Sequence, residues 1–180
     1  MDDQAVGTLS RAFNMDVFLR VKSLLAAQFG EAVVVGEEVA GLQPALIISG
    51  EWLPQVCLFL RDHEATYFDF LSCISAVDNG PAAETFTVVY HLASIPHQHQ
   101  LTLKVMIQND RRLDNLPVVP SVSSVWRTAD WHEREAFDLM GIYFEGHPDL
   151  RRILLPDDWH GYPLRKDYEE AETYHGIPIK

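Results

Sequence analysis

The sequence predicts an α+β fold: a mixed, largely antiparallel sheet with two N-terminal helices packed on it, a third helix near residues 130–140, and an extended C-terminal segment. Three observations predict it. Apolar residues early in the chain recur at helical spacing, two consecutive runs between residues 85 and 107 alternate with period two, and breakers crowd the chain beyond Phe144. Helices that come first and strands that follow one another argue against a doubly wound sheet.

Asn14 is placed to cap the first helix, whose apolar positions Val17, Phe18, Val21, Leu24 and Leu25 share a face and which Gly30 stops. Two short β-rich runs follow, Ala32–Val35 and Ala45–Ser49. A second helix is expected from Glu51 to Asp62, with Leu53, Val56, Cys57 and Leu60 on one face and Pro54 tolerated in the first turn. Tyr67–Val77 is rich in aromatic and β-branched residues and ends at the turn Asp78-Asn79-Gly80-Pro81. Phe86, Val88, Tyr90 and Leu92 then alternate with more polar neighbours, as do Leu101, Leu103, Val105 and Ile107 across a connector near Ser94–Gln98. That pattern is an antiparallel hairpin with one face on the core. Val118–Val125 is short and Ser-rich. Asp130–Met140 reads as the third helix, with Asp130 and Glu133 spaced as a capping box and Gly141 as its stop.

Composition narrows the function. The chain has 180 residues, 47% of them apolar, enough for one domain with a sizeable core plus an extension. A formal charge of -12 repels phosphate backbones and anionic lipid, which argues against nucleic acid or a bare membrane as partner. The start, MDDQAVGTLS, has neither the basic region nor the apolar core of a secretory signal. No apolar run approaches the roughly 20 residues that span a bilayer. Cys57 and Cys73 are the only cysteines and lie in apolar stretches, so buried thiols are expected. Two thiols cannot hold a four-thiolate iron–sulfur cluster.

Residues 146–168 carry the most information. Gly146, Pro148, Pro156, Gly161 and Pro163 rule out a helix or central strand. Yet the same stretch holds Leu150, Ile153, Leu154, Leu155, Trp159, Tyr162 and Leu164 beside Arg151, Arg152, Arg165 and Lys166. A packed Trp or Tyr buries about 150–250 Å², and an irregular backbone leaves its N–H and C=O groups in need of partners. The segment either folds back on its own domain or runs across another polypeptide with Trp and Arg as anchors. The chain thus divides into an α+β domain, 1–145, and a partner-binding segment, 146–180. On the third helix, Glu133 lies four residues before Phe137 and leans towards the apolar face, where arginines of residues 151–165 are candidate counter-ions. Arg134 has Asp138 at i,i+4.

The run Trp131-His132-Glu133-Arg134-Glu135-Ala136-Phe137-Asp138-Leu139-Met140-Gly141-Ile142 is followed by Phe144, Gly146-His147-Pro148 and Arg152-Ile153-Leu154. Together with Pro163-Leu164-Arg165-Lys166-Asp167-Tyr168, it resembles the signature of the complex I 30 kDa (C-type) subunit family, densely over residues 126–168 and more loosely upstream. It departs after Tyr168, where Glu169 and Glu170 stand in place of a proline common in that family. The resemblance implies a non-redox structural subunit of the peripheral arm of a proton-translocating NADH:quinone oxidoreductase, on the cytoplasmic side of a bacterial inner membrane. It implies no cofactor in this chain, with FMN and iron–sulfur clusters held by partner subunits. The implied partners are the D-type subunit, which helps form the quinone pocket, the B-type subunit, which bears the last cluster, and the I-type subunit. The residues expected to meet them are Glu133, Arg134, Glu135, His147, Arg151, Arg152, Trp159, Tyr162, Leu164, Arg165, Lys166, Asp167 and Tyr168.

Two rival readings remain. Homologous subunits serve membrane-bound hydrogenases and related dehydrogenases. A metallohydrolase would use His132, Glu133 and His147, but His132-Glu133 lacks the second histidine of the zinc motif because residue 136 is Ala. No glycine-rich phosphate loop or nucleophile elbow is present.

Overall fold

The hairpin expected around residues 85–107 forms the centre of the molecule in the computed structural model, which describes residues 3–40 and 43–178, with side chains from Met15 onwards. Strands β1 (Val34–Glu38), β2 (Ala45–Ile48), β3 (Phe70–Asp78), β4 (Thr85–Ser94) and β5 (His99–Gln108) make one sheet in the order β1-β2-β5-β4-β3. β4 and β5 pair antiparallel with Phe86 opposite Ile107, Val88 opposite Val105, Tyr90 opposite Leu103 and Leu92 opposite Leu101. Every residue of that set is buried, so the alternation read from sequence is the inner face of the sheet. The sheet is mixed because β2 runs parallel to β5, while its other pairings are antiparallel.

Two helices cover this face. α1 (Asp3–Phe29) contributes Val17, Phe18, Val21 and Leu25 to the core, and α2 (Leu53–Asp62) contributes Leu53, Val56, Cys57 and Leu60. Pro54 sits in the first turn of α2, where no N–H is required. Four expectations about boundaries need correction. Asn14 is no cap, because α1 begins eleven residues earlier at Asp3; Gln4, Ala5, Leu9 and Ala12 extend the helix-forming composition back beyond the periodic stretch. Residues 31–33 form a 3-10 turn, and the strand runs from Val34 to Glu38 instead of Ala32 to Val35. A second 3-10 turn, Gly50–Trp52, precedes α2, so the regular helix starts at Leu53. β3 starts at Phe70, since Tyr67 has φ 39° and breaks the extended run. Of the two thiols, Cys57 is buried and Cys73 is only half-buried.

The third helix, α3 (Ala129–Met140), packs beside β3. It is flanked by β6 (Val118–Pro120) and β7 (Tyr143–Glu145), which pair parallel to each other. Gly141 ends α3 with φ 66°, and a Cβ there would lie 2.5 Å from the Tyr162 ring. Glycine is therefore required twice, by the left-handed backbone and by that ring. Beyond β7 the chain is irregular up to a two-residue pairing of β8 (Thr173–Tyr174) with β9 (Ile177–Pro178).

Candidate partner-binding site

The site is built where residues 146–168 lie against α3 and the far end of β3, and polar anchors fix their path. Asp138 is fully buried in the last turn of α3. Its Oδ2 accepts the backbone N–H groups of Ile153, Leu154 and Leu155 at 2.9, 2.7 and 3.0 Å, and its Oδ1 accepts Arg152 Nη1 at 2.8 Å. Burial pushes this carboxyl up, but the three N–H groups and Arg152 outweigh it and hold it below the ordinary carboxylate range. Arg152 also donates to the carbonyls of Asp138, Trp159 and Gly161, tying two parts of the segment to one helix end.

Arg165 does the same for the helix terminus. Its Nε donates to the Met140 carbonyl at 2.8 Å and its Nη2 to the Gly141 carbonyl at 3.2 Å, while the Leu164 N–H donates to the Leu139 carbonyl at 3.0 Å. Carbonyls that a helix leaves orphaned at its C-terminus thus find donors in the returning segment. The Arg165 guanidinium lies over the Tyr162 ring, 4.6 Å from its centroid, and burial lowers its pKa from the ordinary arginine value.

A third anchor lies at the end of β3. Asp78 accepts both Arg111 amino groups at 2.7 and 2.6 Å, the Lys166 N–H at 2.8 Å and the Gly80 N–H at 2.7 Å. Burial raises its pKa, yet these donors prevail and hold it at about 2. A depressed carboxylate stabilises the fold above its unfolded pKa and loses that contribution as pH falls through the folded value. Urea unfolding between pH 5 and pH 2 should therefore show a loss of about 2 kcal/mol below pH 4 that Asp78→Asn does not show. Asp167 joins the cluster at 3.2 Å from Arg111.

Glu133 is fully buried, as its lean towards the apolar face suggests, but its partners are not arginines. It accepts Ser121 Oγ at 2.5 Å and the Val122 N–H at 2.7 Å, and His147 Nε2 stands 4.0 Å away. The capping box is absent: α3 starts at Ala129, preceded by Thr128 with no side-chain cap bond, and Glu133 turns inward to the Ser-rich loop. Burial dominates and pushes its carboxyl up to about 7. Such a raised acid favours folding below its unfolded pKa, and that advantage disappears as pH rises through the folded value. Glu133→Gln should then raise stability by about 3 kcal/mol at pH 8 and change it little at pH 5, as thermal unfolding at both values will show.

Arg134 does not pair with Asp138, whose carboxylate is taken by the segment. Instead it lies over the Trp131 ring at 4.8 Å, approaches Asp130 at 4.0 Å and donates to the Arg151 carbonyl at 3.4 Å. His147 Nε2 faces the Asp130 carbonyl at 3.1 Å, and its Nδ1 accepts the Asp149 N–H at 3.0 Å, which fixes the ring against the start of α3. Both nitrogens are engaged, and no group of three or more His, Cys, Asp or Glu among the described residues is arranged to hold a metal ion.

The residues singled out from sequence thus divide by direction. Glu133, Arg134, His147, Arg152 and Arg165 face inward, Trp159, Tyr162 and Tyr168 are half-buried, and Glu135, Arg151, Leu164, Lys166 and Asp167 are exposed. Sequence reasoning missed Asp78 and Arg111 as anchors and Asp138 as the hub. It also missed Trp131 and Leu154 as exposed groups. Leu164 stays 58% exposed, Leu154 60%, Trp131 62% and Ile177 69%. The segment is fastened through its polar groups while these apolar ones remain outside.

The family model of the respiratory-chain NADH dehydrogenase 30 kDa subunit matches residues 46–174, which include most of β2, all of β3 to β7 and the anchored segment. The C-type subunit of NADH-quinone oxidoreductase from Chlorobium phaeobacteroides is 42% identical over 167 residues, covering 89% of this chain and 97% of that protein. The protein of the same description from Chloroherpeton thalassium is 50% identical over 125 residues, 69% of this chain, and the match spans about half (49%) of its length. Among solved structures, a chain of the membrane-bound sulfane sulfur reductase, an archaeal respiratory membrane complex, superposes with a TM-score of 0.66 at 25% identity, covering 86% of each chain. No helix among the described residues is long and apolar enough to cross a membrane. With its fold, its anchored C-terminal segment and these likenesses in agreement, the chain belongs to the 30 kDa subunit family of respiratory-chain NADH dehydrogenases, the C-type subunits of NADH-quinone oxidoreductases.

Proposed function

We propose that this chain works as a non-redox scaffold in the peripheral arm of a proton-translocating NADH:quinone oxidoreductase, with residues 1–145 as the docking domain and 146–180 as the partner-binding segment. One observation carries the reading: a proline-broken segment is pinned by Asp138, Arg152, Arg165 and Asp78 so that Leu154 and Leu164 point away from their own domain. Large apolar groups held outward on a rigid support suit a neighbouring polypeptide. The D-type, quinone-pocket subunit is the expected neighbour, with the B-type and I-type subunits beside it, and flavin and iron–sulfur clusters reside in partners. The scaffold's contribution is geometric, since it holds the last cluster and the quinone pocket in register. Association is through the complex, on the cytoplasmic side of the membrane.

A second reading has support in the archaeal neighbour, a chain of a membrane-bound sulfane sulfur reductase: this chain would then be the homologous subunit of a different membrane-bound respiratory complex. Affinity purification of the native protein from membranes decides between them. NADH- and flavin-binding subunits in the eluate support the first reading, and a nickel–iron hydrogenase or a sulfur reductase in their place supports the second. Recovery of the chain alone from gently solubilised membranes contradicts both.

A further inference from the structure

β3 is an edge strand with α3 packed beside it, and among the described residues hydrogen bonds from outside the sheet reach only its ends. At the start, Trp126 Nε1 donates to the Phe68 carbonyl at 3.0 Å and Thr128 Oγ1 to the Leu71 carbonyl at 3.4 Å. At the far end, the Lys166 N–H holds the Asp78 carboxylate. Between them the orientation of the peptide groups follows from the ladder. The Asn79 N–H donates to the Thr85 carbonyl across the β3–β4 pair, and the register is continuous from Cys73 to Asp78. Alternation in an antiparallel pair then points the N–H and C=O groups of Ala76 and Ile74 away from β4. Among the described residues no hydrogen bond reaches either from outside the sheet.

These open peptide groups border a groove of about 360 Å³. Its walls are the edge residues Cys73–Ala76 on one side and His132, Glu135, Ala136 and Leu139 of α3 on the other, with Leu164 beside them. Its lining is partly apolar, and Glu135 is its one exposed acid among the lining residues. An unpaired edge beside side-chain pockets is what strand addition uses: main-chain bonds give affinity, and alternate side chains give selectivity.

We propose that this groove receives an extended strand from a partner polypeptide, which pairs with Ile74 and Ala76, sets an apolar side chain against Leu139 and Leu164, and presents a Lys or Arg to Glu135. The charge sense follows from Glu135 and from the acidic surplus of the whole chain. The inference rests on the scaffold reading and adds a second surface, the edge of β3, which meets the outward apolar groups only at Leu164.

Hydrogen exchange with residue-level fragmentation, on the full chain alone and on the assembled membrane complex, tests it. The amides of Ile74 and Ala76 are expected to exchange fast in the isolated chain and roughly 100-fold more slowly in the assembly. Equal, fast exchange in both overturns the proposal, and does so without touching the scaffold reading if residues 154–164 become protected. Protection at Ile74 and Ala76 with none at 154–164 does the reverse. Slow exchange already in the monomeric chain, or protection through a dimer of it, also overturns the proposal. Glu135→Lys, an exposed change that leaves the core alone, is expected to weaken incorporation into the complex about tenfold through like-charge contact. Ala76→Pro should do the same by removing the outward N–H, a change edge strands tolerate. Normal incorporation of both variants contradicts the proposal.

Discussion

Asp138→Ala is expected to destabilise the isolated chain by about 3–5 kcal/mol, the range for removing one partner of a buried charged pair. For a chain of this size that lowers the melting temperature by roughly 10 °C, measurable by circular dichroism. The reason is local. The substitution leaves three backbone N–H groups and the Arg152 guanidinium without the carboxylate that all four share. Asp138→Asn should lose less, because the amide oxygen still accepts the N–H groups, although its amino group then faces Arg152 donor to donor and that bond is lost. A melting temperature within about 2 °C of the parent for the alanine variant would show that the segment is held by something else.

The combined substitutions Leu154→Asp and Leu164→Asp are expected to act in the opposite way. Both side chains are mostly exposed, so the isolated chain should melt within about 0.5 kcal/mol of the parent. Assembly of the peripheral arm, followed by native gels of membranes, should nevertheless collapse, since two carboxylates would have to be buried against an apolar neighbour. Normal assembly with normal quinone reductase activity would remove the partner contact from these positions. Set beside Asp138→Ala, the pair separates two roles carried by a single residue: the Leu154 N–H holds the segment to its own domain, and the Leu154 side chain reaches beyond it.

What could be read in the sequence follows from the range of each interaction. The period-two runs at Phe86–Leu92 and Leu101–Ile107 revealed the central hairpin and its inner face, because alternation is a local consequence of strand geometry. The parallel pairing of β2 with β5 was not legible, since no local pattern fixes a partner more than fifty residues away. The third helix and its Gly141 stop were legible for the same local reasons. The site was harder. Arg134 and Asp138 have the spacing of a helix pair, yet the nearby Trp131 ring attracts Arg134 and the returning segment claims Asp138. One signal was available: an acid in the last turn of a helix opposes the helix dipole, so it calls for donors from outside the helix. Asp78 offered half its story in the Asp-Asn-Gly-Pro turn, where Gly80 binds it, while Arg111 and Lys166 come from far along the chain. Leu164 was expected to meet a partner, but the exposure of Leu154 could not be seen, because composition says that apolar groups are present but not which way a pinned backbone turns them.

Cysteine labelling tests the scaffold account most directly. Leu154→Cys and Leu164→Cys, introduced singly into a Cys73→Ser background, are exposed to a membrane-impermeant maleimide in the isolated chain and in the intact solubilised complex. The account predicts rapid modification of both in the free chain and protection of both in the complex. Equal labelling in the two states would contradict it.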